Sequence, residues 1–208
     1  LLEWGLFHRS AAVLITSGMQ PFKASVESVT FNASMHPASI RGSQVKLMDL
    51  IFPLFLSAKQ IDQTDRFTQL ALCAANLALE DAGGLEGYAP RRLAVSLGSG
   101  MGGFSTFESS AARKLQNKSM PPFTVPRIMA NSAAAWIATK HGMKGANLTC
   151  STACSSGANA IGMGLDLLRT GKADAVIAGG AEACVLPLTM SGFEALHALS
   201  TGFNDDPA

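Results

Sequence analysis

Three times in this chain a short strand-like run ends in small residues and hands over to a segment of different character. Leu93–Leu97 runs into Gly98-Ser99-Gly100-Met101-Gly102-Gly103 and then a helix over Phe104–Leu115. Asn147–Ser151 leads to a helix over Ser155–Thr170 that Gly171 stops, and Ala175–Ala178 ends at Gly179 and Gly180. Helix-period spacing and glycine stops separate these elements. Strands that are apolar rather than alternating, and that take turns with helices, argue a mostly parallel sheet covered on both faces. The fold class is therefore read as α/β. Two more helices are predicted. One covers Asp65–Asp81, with Phe67, Leu70, Ala71, Ala74, Leu77 and Ala78 at three- and four-residue steps, Thr64 as cap and Gly83 as stop; the other covers about Ile128–His141, before Gly142.

Composition enters as a set of exclusions. With 208 residues, 48% hydrophobic and 15% charged, the chain has enough apolar material for a real core and is not a disordered tail. Its 16 basic and 15 acidic residues leave a net charge of +1, so no overall field recruits nucleic acid or an anionic membrane. The longest apolar stretches, Ala11–Ile15 and Leu47–Leu56, fall well short of the roughly 18 residues a membrane span needs. Leu1-Leu2-Glu3-Trp4 does not read as a secretory signal. Cys73, Cys150, Cys154 and Cys184 have neither C-x-x-C spacing nor disulfide-scaffold density, so no metal site is expected and a reducing, cytoplasmic setting is the default. No repeat, low-complexity tract or linker divides the chain, and a start at Leu with a turn-like end reads as a piece of something longer.

Cys154 is the residue whose placement carries chemistry. It lies between the strand at Asn147–Ser151 and the long helix that follows, in Thr149-Cys150-Ser151-Thr152-Ala153-Cys154-Ser155-Ser156-Gly157. A thiol at such a turn sits at the positive end of a helix dipole, where the thiolate is favoured. Small neighbours let a substrate approach, and the free N–H groups of a first helical turn can hold an oxyanion. Geometry of this kind alone is also that of a buried structural cysteine.

Further motifs decide between the two. TACSSGANAIG from Thr152, LLRTGKADAVIAGGAEA from Leu167 and SGFEALHALSTGFNDDPA from Ser191 closely resemble the elongating β-ketoacyl-acyl-carrier-protein synthases, the condensing enzymes of fatty acid and polyketide synthesis. FNASMHPASIRGSQV from Phe31, DRFTQLAL from Asp65, LGSGMGG from Leu97 and PFTVPRIMANSAAAWIATKHGMKGANLT from Pro122 agree in order, so the resemblance runs from about Phe31 to Ala208. It implies a thiolase-like fold, with residues 1–208 forming a partial N-terminal ketoacyl-synthase domain, 1–24 divergent and the C-terminal half absent. It further implies that Cys154 is the nucleophile, taking an acyl group from acyl carrier protein as a thioester, with its own N–H as one oxyanion donor. Malonyl carrier protein would then decarboxylate and attack that thioester to give a 3-oxoacyl product, with no cofactor or metal.

The resemblance also implies what lies elsewhere. The family's two catalytic histidines and its lysine belong to motifs beyond Ala208. None of His8, His36, His141 and His197 matches them, and His141 is read as a helix-end cation with a structural role. Met101 matches a position lining the acyl pocket, with Thr124 and Met129 expected near the same tunnel at a homodimer interface. There Asn147–Ser151 would pair with its copy across a two-fold. Lys59, Lys118 and Arg127 are the candidate contacts for the acidic carrier protein, although Asp62 and Gln63 stand where cations are common. The opening Thr-Gly-x-Gly strand of the family is not found cleanly. Ala11–Thr16 is the candidate to replace it, and a sheet missing that strand and its partner half would expose apolar surface and leave the chain poorly soluble.

Other readings compete with this one. Gly98, Gly100 and Gly103 satisfy G-x-G-x-x-G after a strand, but no Asp or Glu occurs between Glu108 and Asp166 to bind a ribose, which counts against nucleotide binding. The alternative function is an inactive fragment or scaffold that binds carrier protein or a condensing partner. Glu182, in AGGAEA, is read as an orienting or structural carboxylate rather than a general base.

Overall fold

The computed structural model describes residues 9–16, 27–30 and 52–199. The motif at Phe31–Val45, the terminal FNDDPA, His8, His36 and most of Leu1–Ala24 lie outside them. The described elements run β1 (Arg9–Thr16), β2 (Glu27–Thr30), the described part of α1 (52–55), α2 (Ala58–Gln63), α3 (Arg66–Asp81), β3 (Leu93–Gly98), α4 (Phe104–Leu115), α5 (Thr124–Ile128), α6 (Ser132–Lys140), β4 (Asn147–Cys150), α7 (Ser156–Arg169), β5 (Ala175–Ala181) and α8 (Pro187–Ala195). A 3-10 turn at Pro90–Arg92 precedes β3.

One five-stranded sheet has the order β2-β1-β5-β3-β4. β3 is parallel to both β5 and β4, whereas β1 is antiparallel to both β2 and β5, so four of the five strands share a direction. The expected mostly parallel sheet is thus present with one reversed strand. That strand answers the doubt about Ala11–Thr16: it pairs along its length, Ser10 opposite Ala181 through Thr16 opposite Ala175, and fills the position between β2 and β5.

The two faces of the sheet differ in how close a helix may come. Leu93, Val95 and Leu97 of β3 and Ala175 and Ile177 of β5 point to one side, into a core shared with α3 and α6. Ala94, Val176 and Ala178 point to the other, against Leu167 of α7. Alternation of side chains along a strand produces this split. The α7 side is lined by small residues, and there the helix rides almost on the backbone: a Cβ on Gly98 would lie 2.1 Å from the Ser156 carbonyl oxygen, and one on Gly180 would lie 2.8 Å from Gly157 Cα. These glycines serve packing, because no other residue fits the approach.

α3 follows the predicted helix with two corrections. Asp65, not Thr64, is its N-cap, the Asp65 Oδ1 accepting from Phe67 N at 3.2 Å, while Thr64 Oγ1 donates to the Gln60 carbonyl and closes α2 instead. Its apolar stripe is also wider than the periodicity suggests. Leu72, Cys73 and Ala75 are buried along with the predicted positions, and Leu77 is half-buried, because the helix is sandwiched between β1, β5 and α6.

The helix predicted over about Ile128–His141 is α6, which starts later, at Ser132, while Ile128 ends α5. β5 continues past Ala178 through Gly179 and Gly180 to Ala181, the glycines extending the strand rather than stopping it. Arg92 and Asp174 pin the starts of β3 and β5 together, with Nε to Oδ2 at 3.1 Å and Nη2 to Oδ1 at 2.6 Å. No described helix is long and apolar enough to cross a membrane.

His141 corrects another expectation. It caps the C-terminus of α6, but burial, aided by the neighbouring Lys140 cation, holds its imidazole below its ordinary pKa, and Nε2 is buried without a hydrogen-bond partner among the described residues. The group is a neutral cap, not a cation serving the dipole. Protonation is therefore easier in the unfolded chain, and its contribution to stability is present above pH about 6.5 and lost as pH falls through its lower folded value. Between pH 7 and 5 the unfolding midpoint is expected to drop more steeply than in His141→Asn. Parallel pH slopes for the two chains in thermal melts would contradict this.

Candidate functional site

The C-terminal ends of β3, β4 and β5 lie side by side, and each releases one part of the site. This is where open parallel sheets place ligands. After β4 the chain turns sharply at Ala153, whose φ of +52 lies in the left-handed region, before α7 begins at Ser156. The turn is tied internally: Ser156 Oγ donates to the Ala153 carbonyl at 2.7 Å and accepts from Thr152 N at 2.9 Å, and Asn159 Nδ2 donates to Thr152 Oγ1 at 2.6 Å. Cys154 sits on the outside of this knot.

Of the four free cysteines, Cys154 alone is exposed. Cys73 and Cys184 are buried, and burial pushes both thiols up to about 11, with Glu182 adding to the effect at Cys184. Cys150 is half-buried and donates its S–H to the Ser156 carbonyl at 3.3 Å. No backbone carbonyl among the described residues accepts from the Cys154 N–H.

After β3 comes the glycine loop. Its N–H groups are already engaged: Glu182 Oε2 accepts from Gly100 N at 2.7 Å and Met101 N at 3.2 Å, Glu182 Oε1 accepts from Ser99 Oγ at 3.3 Å, and Ser99 Oγ accepts from Gly102 N at 2.9 Å. A loop whose amides hold a resident carboxylate is not a phosphate cradle. The glycines of the G-x-G-x-x-G pattern answer instead to close packing, a Cβ on Gly103 falling 2.0 Å from the Arg127 carbonyl oxygen. Burial raises the Glu182 carboxyl above its ordinary pKa, opposed by the hydrogen bonds from Gly100, Met101, Ser99 and Ala183.

This loop touches the turn that bears Cys154 on one side and walls a cleft on the other. Ser151 Oγ donates to the Gly100 carbonyl at 3.4 Å, and the Cβ direction of Gly100 meets Ala153 Cα at 3.7 Å. The cleft, of about 290 Å³, is apolar and lined by Met101, Phe104, Leu188, Thr189, Phe193 and Leu196. Sequence reasoning named Met101 and missed the α8 side. The signal was there: Leu188, Gly192, Phe193 and Leu196 recur at helical steps after Pro187, a favoured first helical residue. The N-terminus of α8 is steadied by Glu108 Oε1, which accepts from Leu188 N at 2.7 Å.

The other expected site residues scatter. Thr124 opens α5 and donates its hydroxyl to the Pro121 carbonyl at 2.8 Å, and Met129, 49% exposed, follows the same helix; neither lines the Met101 cleft. Lys59 on α2 and Lys118 beyond α4 are exposed, while Arg127 on α5 is half-buried with its Nε buried and unpartnered among the described residues. His197 follows α8 with φ +53, exposed and away from any described cluster of metal-ligating groups.

Comparison with known proteins sets this geometry in context. Residues 32–207 match the family described as β-ketoacyl synthase, N-terminal domain. A 3-oxoacyl-[acyl-carrier-protein] synthase 2 of Coxiella burnetii is 37% identical over 190 residues, covering 89% of this chain and 45% of that protein. Among solved structures, a β-ketoacyl synthase from Burkholderia phymatum is similar with a TM-score of 0.63 and 30% identity, covering 73% of this chain and 38% of that one. A type II polyketide ketosynthase solved in complex with its acyl-carrier protein is similar with a TM-score of 0.61 at 30% identity, covering 65% of this chain and 35% of that one. The chain thus spans less than half the length of the curated relative and of both solved chains.

Proposed function

Because this chain belongs to the β-ketoacyl synthase family, as its N-terminal domain, we propose that it carries the acyl-transfer half of a 3-oxoacyl-acyl-carrier-protein synthase. The observation that supports this best is the contact between the two loops: the turn bearing the one exposed thiol abuts the loop whose Met101 walls an apolar cleft. An acyl chain lying in the cleft would bring its thioester carbonyl toward Cys154. Sγ attacks the carbonyl carbon, the oxyanion is held by the Cys154 N–H, and collapse expels the carrier thiolate and leaves the acyl group on sulfur. Condensation with malonyl carrier protein in fatty acid or polyketide synthesis is the whole protein's reaction on this reading.

The partners follow the same logic. Lys59, Lys118 and Arg127 are the cations proposed to meet an acidic carrier protein. β4 is an edge strand, paired only to β3 among the described residues, and a second copy laid against it would close that edge in a homodimer. A reducing, cytoplasmic setting suits a free-thiol nucleophile.

One sample tests these points. Incubated with an acyl-carrier-protein thioester, the chain is expected to gain the mass of one acyl group, the gain to be absent in Cys154→Ala, and its rate to fall as salt screens the basic contacts. Native mass spectra of the same sample are expected to show two copies. Failure to acylate while iodoacetamide still modifies Cys154 would sink the acyl-transfer reading, and a monomer at micromolar concentration would sink the dimer.

A further inference from the structure

We propose that Glu182 is a positioning residue: by latching the backbone of the glycine loop it sets the Met101 wall of the acyl cleft, and so which acyl chains Cys154 accepts. This rests on the acyl-transfer reading and deepens it. The carboxylate leaves the end of β5 and crosses to the loop that leaves β3, the strand hydrogen-bonded beside it. Oε2 takes the amides of Gly100 and Met101 at 2.7 and 3.2 Å, and Oε1 takes Ser99 Oγ at 3.3 Å. Through Ser99 Oγ, which accepts from Gly102 N at 2.9 Å, three consecutive loop amides are held by one pair of side chains.

On its other side the loop packs on α5, Gly103 N donating to the Ile128 carbonyl at 3.2 Å. Met101 is 37% exposed, Gly100 is exposed, and a Cβ at Gly100 would already lie 3.0 Å from Glu182 Oε2, so the absence of a side chain is what lets the carboxylate reach the amides. Gly102 takes a left-handed φ of +63. Glu182 is not among the residues that line the cleft. It acts through the backbone of Met101, whose side chain walls the cleft.

The latch is a matter of hydrogen-bond acceptance, so the amide isostere should keep it and alanine should lose it. In Glu182→Ala, amide hydrogen exchange at Gly100 and Met101 is expected to accelerate about tenfold while Val95–Leu97 of β3 stays protected. The ratio of Cys154 acylation rates by octanoyl and acetyl N-acetylcysteamine thioesters should shift by about fivefold, with iodoacetamide modification of Cys154 changed by less than about twofold. Glu182→Gln should resemble the parent chain in all three.

The proposal is overturned if Glu182→Ala leaves the loop amides protected, if the amides are freed without any change in the length ratio, or if β3 loses protection as well. The last outcome would make the carboxylate part of the scaffold. Should neither thioester acylate the parent chain while iodoacetamide does, the acyl-transfer reading fails and this proposal with it; the exchange measurement would still show whether the latch exists.

Discussion

Replacing Gly98 by alanine is expected to cost about 3 kcal/mol of stability and most of the reactivity of Cys154 together. The new Cβ would stand 2.1 Å from the Ser156 carbonyl oxygen, 2.2 Å from its carbon and 2.7 Å from Gly157 N. All three are backbone atoms of the first turn of α7, so no side chain can swing aside. The helix must lift from β3, and the knot at Thr152–Ser156 that presents the thiol moves with it. For a domain of this size the penalty corresponds to a melting point lower by roughly 6–12 °C. Gly162→Ala supplies the control, since nothing lies within 4 Å of its Cβ position and the helix should gain about 0.5–1 kcal/mol. Thermal melts with timed iodoacetamide modification read both quantities. A Gly98→Ala chain with unchanged melting point and unchanged Cys154 reactivity would show that α7 does not press on the sheet as described.

Asp65→Ala is expected to be the most damaging polar substitution among the described residues, at about 3–5 kcal/mol. The side chain is fully buried and serves two helices. Oδ1 accepts from Phe67 N at 3.2 Å to cap α3, and Oδ2 accepts from Ser105 Oγ and Thr106 N, both at 2.7 Å, at the start of α4, which has no cap of its own. Alanine leaves those donors buried and unpaired, and orphaned donors cost more than the bonds contributed. Asparagine keeps one acceptor oxygen and should lose only about 1–2 kcal/mol. Denaturant unfolding with a constant slope is the measurement. Equal midpoints for the alanine and asparagine chains would mean that the second helix finds its cap elsewhere.

Asp65 also shows what a one-dimensional reading can and cannot reach. DRFTQLAL announces a helix by spacing alone, and the bounds of α3, β3 and α4 were legible to within a residue because each has a local stop or start. The choice between Thr64 and Asp65 as cap was not legible, since both suit the role and only the distant amide of Thr106 favours the carboxylate. β5 was read short for a similar reason. Gly179 and Gly180 look like a stop until α7 is present, when the strand needs Gly180 bare to admit the helix. The turn that bears Cys154 and the glycine loop that bears Met101 were located by local strand, glycine and helix signals, whereas the partnership of Glu182 with a loop some 80 residues earlier was not legible, because it depends on two strands lying side by side. Thr124 and Met129 lie on and just after α5, outside the lining of the Met101 cleft.

The bare contact between α7 and the sheet has a consequence for how this site can vary. Between Gly98 and Ser156, and between Gly157 and Gly180, main chain meets main chain with no side chain interposed. There is accordingly nothing at that junction to enlarge, trim or repack, and the sulfur's coordinates relative to the sheet are a fixed datum. The cleft walls, by contrast, are side chains on a loop and on α8, open to substitution one at a time. A chain built this way can change the shape of its cleft while the Cys154 sulfur stays where it is.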